Sequence, residues 1–223
     1  LMNERSYQDN YADTGSPIRW PGPYGWGVIH QVDEGVLLSG QGIRPDGVRP
    51  FLDVMNLETG ETRTLWKAGE KHYETLTAVV DAKATTFITR RQSAKEPPNY
   101  QRRTTRSRRA TGLTKFKDWA PQFAAVKKEL VTYTRADGLE LQARVYTPPG
   151  WKPSDGPLPT VFWAYPNEFK SKKDAAQKTK SENLFSRPSP HSPLWFCLQG
   201  YAVVDDPTMP IVGEGNTEPN DNF

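Results

Sequence analysis

The sequence predicts a mixed fold in two parts: β-propeller blades over residues 1–121, then the opening of an α/β domain over 122–223. Three observations predict it. Up to about residue 120, short alternating runs recur between turn signals. Comparable points lie roughly 45 residues apart, a spacing that favours propeller blades over a sandwich or barrel. After residue 121 the pattern changes to a hairpin with an Asp-Gly turn, followed by a Pro/Gly-rich loop. Finally, residues 157–170 (PLPTVFWAYPNEFK) carry Thr160, Val161, Phe162, Trp163 and Ala164 without polar alternation, which fits a strand buried on both faces.

Within the first part, residues 27–30 (GVIH) and 35–38 (GVLL) flank an acidic turn at Asp33-Glu34. Residues 50–55 (PFLDVM) and 62–66 (TRTLW) alternate around Glu58-Thr59-Gly60, a hairpin signal of the kind that closes a propeller blade. The logic repeats in ETLTAVVD (74–81), TTFITRRQS (85–93) and NYQRRTTR (99–106).

In the second part, residues 121–129 form a short helical or irregular connector. Residues 130–134 (LVTYT) and 139–146 (LELQARVY) then alternate about Ala136-Asp137-Gly138, an antiparallel hairpin. After the loop TPPGWKPSDGPLP comes the apolar strand. Pro166 withholds the next ladder donor and keeps Tyr165 extended. A phenol is thereby placed at the carboxyl end of a strand, where open α/β sheets put their chemistry. Residues 192–199 suit a short helix ending at Gly200, and 201–204 (YAVV) suit a second buried strand.

Composition narrows the function classes. Of 223 residues 35% are hydrophobic, and 20 Pro and 17 Gly make about a sixth of the chain, which suits short strands and many turns. The formal net charge of +3 excludes a polycation as a whole, although the basic residues cluster. The single cysteine, Cys197, excludes an intrachain disulfide, and its setting in LWFCLQG suits a buried structural thiol. No run approaches the roughly 20 apolar residues that cross a bilayer, and the polar, acidic N-terminus is no signal peptide, so a soluble protein without a membrane partner is expected. Both ends look like cuts through a longer chain.

The remaining candidates carry competing readings. QRRTTRSRRATGLTKFK holds Arg102, Arg103, Arg106, Arg108, Arg109, Lys115 and Lys117. It suits a solvated strand and turn, a phosphate-tracking patch, or a grip on acidic substrate. No nucleic-acid module accompanies it, and no nucleic-acid partner is expected. Lys170, Lys172, Lys173, Lys178 and Lys180 form an exposed basic loop that is also suited to orienting an acidic peptide. His30, His72 and His191 lack metal-ligand spacing. Gly213-Glu214-Gly215 lacks the Lys-Ser/Thr and helix of a phosphate loop. No metal or cofactor is expected.

DGLELQARVYTPPG, WAYPNEFKSK and PTMPIVGEGNTEPND, with PFLDVMNLETGE upstream, resemble the prolyl oligopeptidase family of serine peptidases, in particular its glutamyl endopeptidase branch. That resemblance implies a propeller joined to an α/β-hydrolase domain, and hydrolysis of peptide bonds, with glutamate preferred before the cut. Tyr165 stands where the family's tyrosine donates its hydroxyl to the oxyanion. Glu214 and Asn216 fall in a loop bordering the cleft, where they are expected to touch substrate; a buried Glu214 satisfied by backbone donors is the equal alternative. The family's G-x-S-x-G turn is absent from these residues, so the Ser/Asp/His triad is expected elsewhere and this stretch alone is expected to be inactive. The implied partners are a peptide, acidic under a glutamate preference, and the remainder of the propeller and hydrolase domain. A non-enzymatic β-rich module with a basic face, or a family member without catalysis, stays open beside it.

Overall fold

The computed structural model describes residues 4–33, 35–214 and 219. They form a β-rich chain with mostly antiparallel sheets, in two compact units: Leu1–Lys117 with Asn183–Phe185, and Asp118–Glu182 with Ser186–Phe223. Among the described residues the helical content is one four-residue α-helix, α1 (Lys172–Ala175), and three 3-10 turns.

The first unit contains β1 (Ser16–Pro17), β2 (Arg19–Pro21), β3 (Gly27–Ile29), β4 (Gln31–Val32), β5 (Gly35–Gly40), β6 (Ile43–Arg44), β7 (Gly47–Val48), β8 (Phe51–Asn56) and β9 (Thr62–Lys67). It continues with β10 (Tyr73–Val79), β11 (Thr86–Gln92), β12 (Asn99–Thr104) and β13 (Ser107–Gly112). Two antiparallel sheets dominate it, one ordered β1-β5-β8-β9 with β4 also on β5, the other β10-β11-β12-β13. The 58–60 turn joins β8 to β9 as its chemistry predicts, with Gly60 at φ 74°.

The acidic turn is placed differently. The strand pairing with β5 is β4, not residues 27–29, which pair with β2 instead. His30 interrupts the run, its buried ring held by Ala82 O at 2.8 Å and in tilted contact with the Trp20 ring. Asp33 turns at φ 52°, and Glu34 lies outside the described residues.

Leu37 and Leu52 from the first sheet meet Phe87 of β11 and Ala84 before it, and Val54, Trp66, Leu76 and Val79 close around them. Each fully buried large side chain contributes about 2 kcal/mol by leaving water. Alternation explains the rest of this seam. The face of the second sheet that carries Phe87 also carries Thr89, Glu74 and Arg103, all paired across its ladders. Glu74 accepts from the Thr89 hydroxyl and from Arg103, whose guanidinium lies 5.8 Å from the Trp66 ring centre.

The second unit begins with a 3-10 turn at Pro121–Phe123 and continues through β14 (Lys127–Thr134), β15 (Glu140–Thr147), β16 (Thr160–Trp163), β17 (Asn167–Phe169), β18 (Ala202–Asp205) and β19 (Pro210–Val212). Residues 127–129, expected in the connector, already belong to β14. The main sheet runs β14-β15-β18-β16 and is antiparallel except for the parallel pair β16–β18. Gly138, at φ 87°, closes the predicted hairpin. The helix expected after Ser192 is a 3-10 turn, Pro193–Gln199, capped by the Ser192 hydroxyl and by Gly200 in the left-handed region. Its Leu194 and Cys197 pack with Phe123, Tyr146 and Val203 as the core of this unit.

One expectation is corrected. β16 is not buried on both faces: Phe162 is 69% and Trp163 58% exposed. Among the described residues β16 sits at the edge of the sheet, hydrogen-bonded to β18 alone, and only Val161 packs on the core. An apolar run shows that its side chains gain by leaving water, but it does not fix whether the strand has a neighbour on each side.

Candidate functional site

The carboxyl ends of β16 and β18 lie side by side because the register of this parallel pair matches Thr160 with Ala202 and Trp163 with Asp205. Parallel pairing turns both chains out of the sheet at the same end. Beyond that end the two chains stay together. The Asp206 N–H donates to Trp163 O at 2.9 Å, and the Asn167 N–H donates to Met209 O at 3.1 Å. β17 and β19 then pair in parallel, Asn167 with Pro210 through Phe169 with Val212.

Tyr165 sits in the three-residue gap between those two bonds, with Pro166 beside it carrying no N–H. Its side chain is 81% exposed, and its hydroxyl has no protein partner among the described residues. Among the described residues its one hydrogen bond is accepted by its carbonyl, from Asn167 Nδ2 at 3.4 Å. The phenol is therefore a free donor at the carboxyl edge of the sheet.

The segment facing Tyr165 is anchored from the opposite side. Thr208 donates to Gln142 O through its N–H at 2.8 Å and its hydroxyl at 3.0 Å. The Tyr133 hydroxyl donates to Thr208 O at 2.7 Å, and Arg135 Nη1 donates to Pro210 O at 2.6 Å. Arg135 is itself fixed by a two-pronged pair with Asp137, both bonds at 2.9 Å, which holds the Asp137 carboxyl well below the usual carboxylate range.

Two carboxylates end β18. Asp205 is pushed up from its ordinary value by burial, with Arg144 opposing and Asp206 reinforcing the shift. Asp206 turns the chain at φ 50°. Its Oδ2 accepts from Arg144 Nη1 at 3.0 Å and from Lys180 Nζ at 2.6 Å. No motif in the sequence announces this cluster. Its only signal was the unusual pair of adjacent acids closing an apolar strand, in VVDDP.

Glu214 is exposed at the bend after β19, and Asn216 lies outside the described residues. Of the lysine run, Lys172, Lys178 and Lys180 face Asp137, Glu140 and Asp206 at 3.8, 3.2 and 2.6 Å. In the arginine run of the first unit, Arg103 serves the buried Glu74, while Arg102, Arg106 and Arg109 are exposed. His72 faces Glu96 at 3.3 Å, and His191 is exposed. Among the described residues no three His, Cys, Asp or Glu side chains converge as a metal site requires. No helix there is long and apolar enough to cross a membrane.

No protein-family model matches the chain. It is 38% identical over 238 aligned positions to "Probable glutamyl endopeptidase, chloroplastic" of Oryza sativa subsp. japonica, and 37% identical over 239 to the protein of the same name in Arabidopsis thaliana. Both alignments take in the whole chain and 25% of the relative, so the chain spans about a quarter of their length. Among solved structures, dipeptidyl peptidase 4 of Porphyromonas gingivalis shares the fold at a TM-score of 0.53 and 16% identity, over 80% of this chain and 24% of that one.

Proposed function

We propose that the chain, similar over its whole length to two plant glutamyl endopeptidases, supplies two parts of a larger serine endopeptidase of the prolyl oligopeptidase family. Its first unit forms the closing blades of the propeller, and its second unit the first strands of the α/β-hydrolase domain, with the boundary near residue 121. The two stacked four-to-five-stranded meanders of the first unit support the blade assignment. The order β14-β15-β18-β16, in which the later strand inserts inside the earlier one, supports the second.

The observation that carries the reading is the unpartnered phenol of Tyr165 at the carboxyl end of β16. In the whole protein a serine, positioned by histidine and aspartate outside this stretch, attacks the peptide carbonyl. The Tyr165 O–H and the backbone N–H after that serine hold the oxyanion. One such donor lowers the barrier by about 3 kcal/mol. Without a positioned base this stretch alone has no activated nucleophile. Glu214, exposed after β19, contacts substrate at the border of the cleft. Cleavage after glutamate follows from the branch, whose substrate carboxylate calls for a cation such as the planar guanidinium of arginine.

The test is kinetic, on the complete protein. Tyr165→Phe is expected to lower kcat by about one to three decades with KM nearly unchanged. Wild-type kcat would reduce Tyr165 to a structural residue. A complete protein with no G-x-S-x-G followed by Asp and His would remove the peptidase reading altogether.

A further inference from the structure

We infer that Asp206 is the positioning residue for Tyr165, acting as the anchored end of a brace that holds the phenol in place. The inference rests on the reading of Tyr165 as oxyanion donor. It starts from what Tyr165 lacks: its ring is exposed and its hydroxyl is unbonded, so no side-chain packing fixes the direction of the phenol. Its orientation is set by the backbone of residues 164–166, and that backbone is held at both ends by one segment. Trp163 O accepts from Asp206 N–H, and Asn167 N–H donates to Met209 O.

Asp206 fixes where that segment starts. At φ 50° the residue occupies the left-handed region, where Asp is among the few non-glycine types accommodated. This turn aims its N–H at Trp163 O while its carboxylate points back over β15. There Oδ2 bridges Arg144 Nη1 and Lys180 Nζ, both on side chains that are largely buried. Two charge-assisted bonds to one oxygen define the carboxylate position more narrowly than a single exposed ion pair does. Arg144 itself lies on β15 and pairs with Asp205 in the ladder, so the brace is tied to the central strands of the sheet. A displacement of about 1 Å at an oxyanion donor is enough to cost two decades in rate, so a brace acting only through geometry has a kinetic consequence.

The experiment uses the complete protein and a serine-directed active-site titrant, so that kcat is expressed per folded, competent site. Asp206→Gly keeps the left-handed turn and the N–H but removes the carboxylate. It is expected to lower kcat about tenfold while KM stays within about twofold. Asp206→Asn, which also accommodates the turn and retains a neutral acceptor, is expected to fall between. In the double variant Asp206→Gly/Tyr165→Phe, kcat is expected to equal that of Tyr165→Phe alone within about twofold, because a brace has nothing left to aim. Losses that multiply would show that Asp206 acts independently of Tyr165 and overturn the inference. So would wild-type kcat in Asp206→Gly when Tyr165→Phe is impaired. If Tyr165→Phe is itself silent, the oxyanion reading fails, and this inference falls with it. Should Asp206→Gly not fold, Lys180→Met removes one arm of the same bridge and is expected to show the same non-additivity with Tyr165→Phe.

Discussion

Arg103 and Glu74 form a two-pronged ion pair inside the first unit, Nε to Oε1 at 2.6 Å and Nη2 to Oε2 at 2.7 Å. The side chains are 13% and 4% exposed, and the Thr89 hydroxyl completes the carboxylate shell. Removing one partner leaves a buried charge uncompensated, so Glu74→Gln is expected to destabilise the protein by about 3 kcal/mol in urea unfolding. Replacing both by apolar residues, Glu74→Leu with Arg103→Met, is expected to recover most of that loss. Arg102→Met, one residue away on the exposed face, is expected to stay within about 0.5 kcal/mol of wild type. Equal effects at 102 and 103 would contradict the burial of the pair.

Gly42 gives a second test. It sits at φ 57°, and a Cβ there would lie 2.0 Å from Arg49 O. Gly42→Ala therefore combines backbone strain with a collision that no side-chain rotation relieves. We expect a loss of about 2 kcal/mol or more. Gly69→Ala, with nothing within 4 Å of its Cβ, is expected to be neutral or slightly stabilising. Similar melting temperatures for the two variants would refute the close approach.

Cys197 is fully buried between the 3-10 turn and β18, and burial pushes its thiol up to about 11. The thiolate is the reactive form. An alkylating reagent at pH 8 is thus expected to leave Cys197 unmodified in the folded protein and to label it on denaturation. Labelling of the native protein at the rate of a free thiol would contradict this placement.

Asp205 predicts a pH dependence. Burial raises its folded pKa above the ordinary 3.8, so the folded state binds that proton more tightly than the unfolded state. The resulting stability is fully present below 3.8 and is lost as pH rises through the folded value. Asp205→Asn mimics the protonated form. Its melting temperature is expected to exceed wild type at pH 7, with the difference closing as pH falls below 3.8. A constant difference across that range would mean that the carboxylate is not the cause.

Local turn chemistry made much of the fold legible. Gly138 and Gly60 take the positive φ that few other residues supply, and both hairpins form as their sequences require. Ser192 and Gly200 bracketed a helical turn for the same kind of reason. Long-range placement was less legible. Nothing local distinguishes Arg103 from Arg102, because the ladder pairing with Phe87 turns one inward and the other outward. The marginal position of β16 depends on β18 inserting between it and β15, a choice made by residues far along the chain. At the candidate site, Tyr165 was visible from the strand end and the proline after it. The Arg144–Asp206–Lys180 bridge was not, because its members are brought together only by the crossover.

That crossover has a consequence for how the protein is made. From β8 to β9 and from β10 to β13 each strand of the first unit pairs with the one that follows it, so those ladders can close soon after they leave the ribosome. β16 cannot: its ladder partner is β18, and Thr160 waits for Ala202. At bacterial-to-eukaryotic elongation rates, about 40 residues take roughly 2 to 8 s to synthesise. During that interval Phe162 and Trp163 are an unpaired apolar strand on a nascent chain. The same topology that ties Trp163 to Asp206 thus leaves this short stretch without its ladder partner until Ala202 has been made.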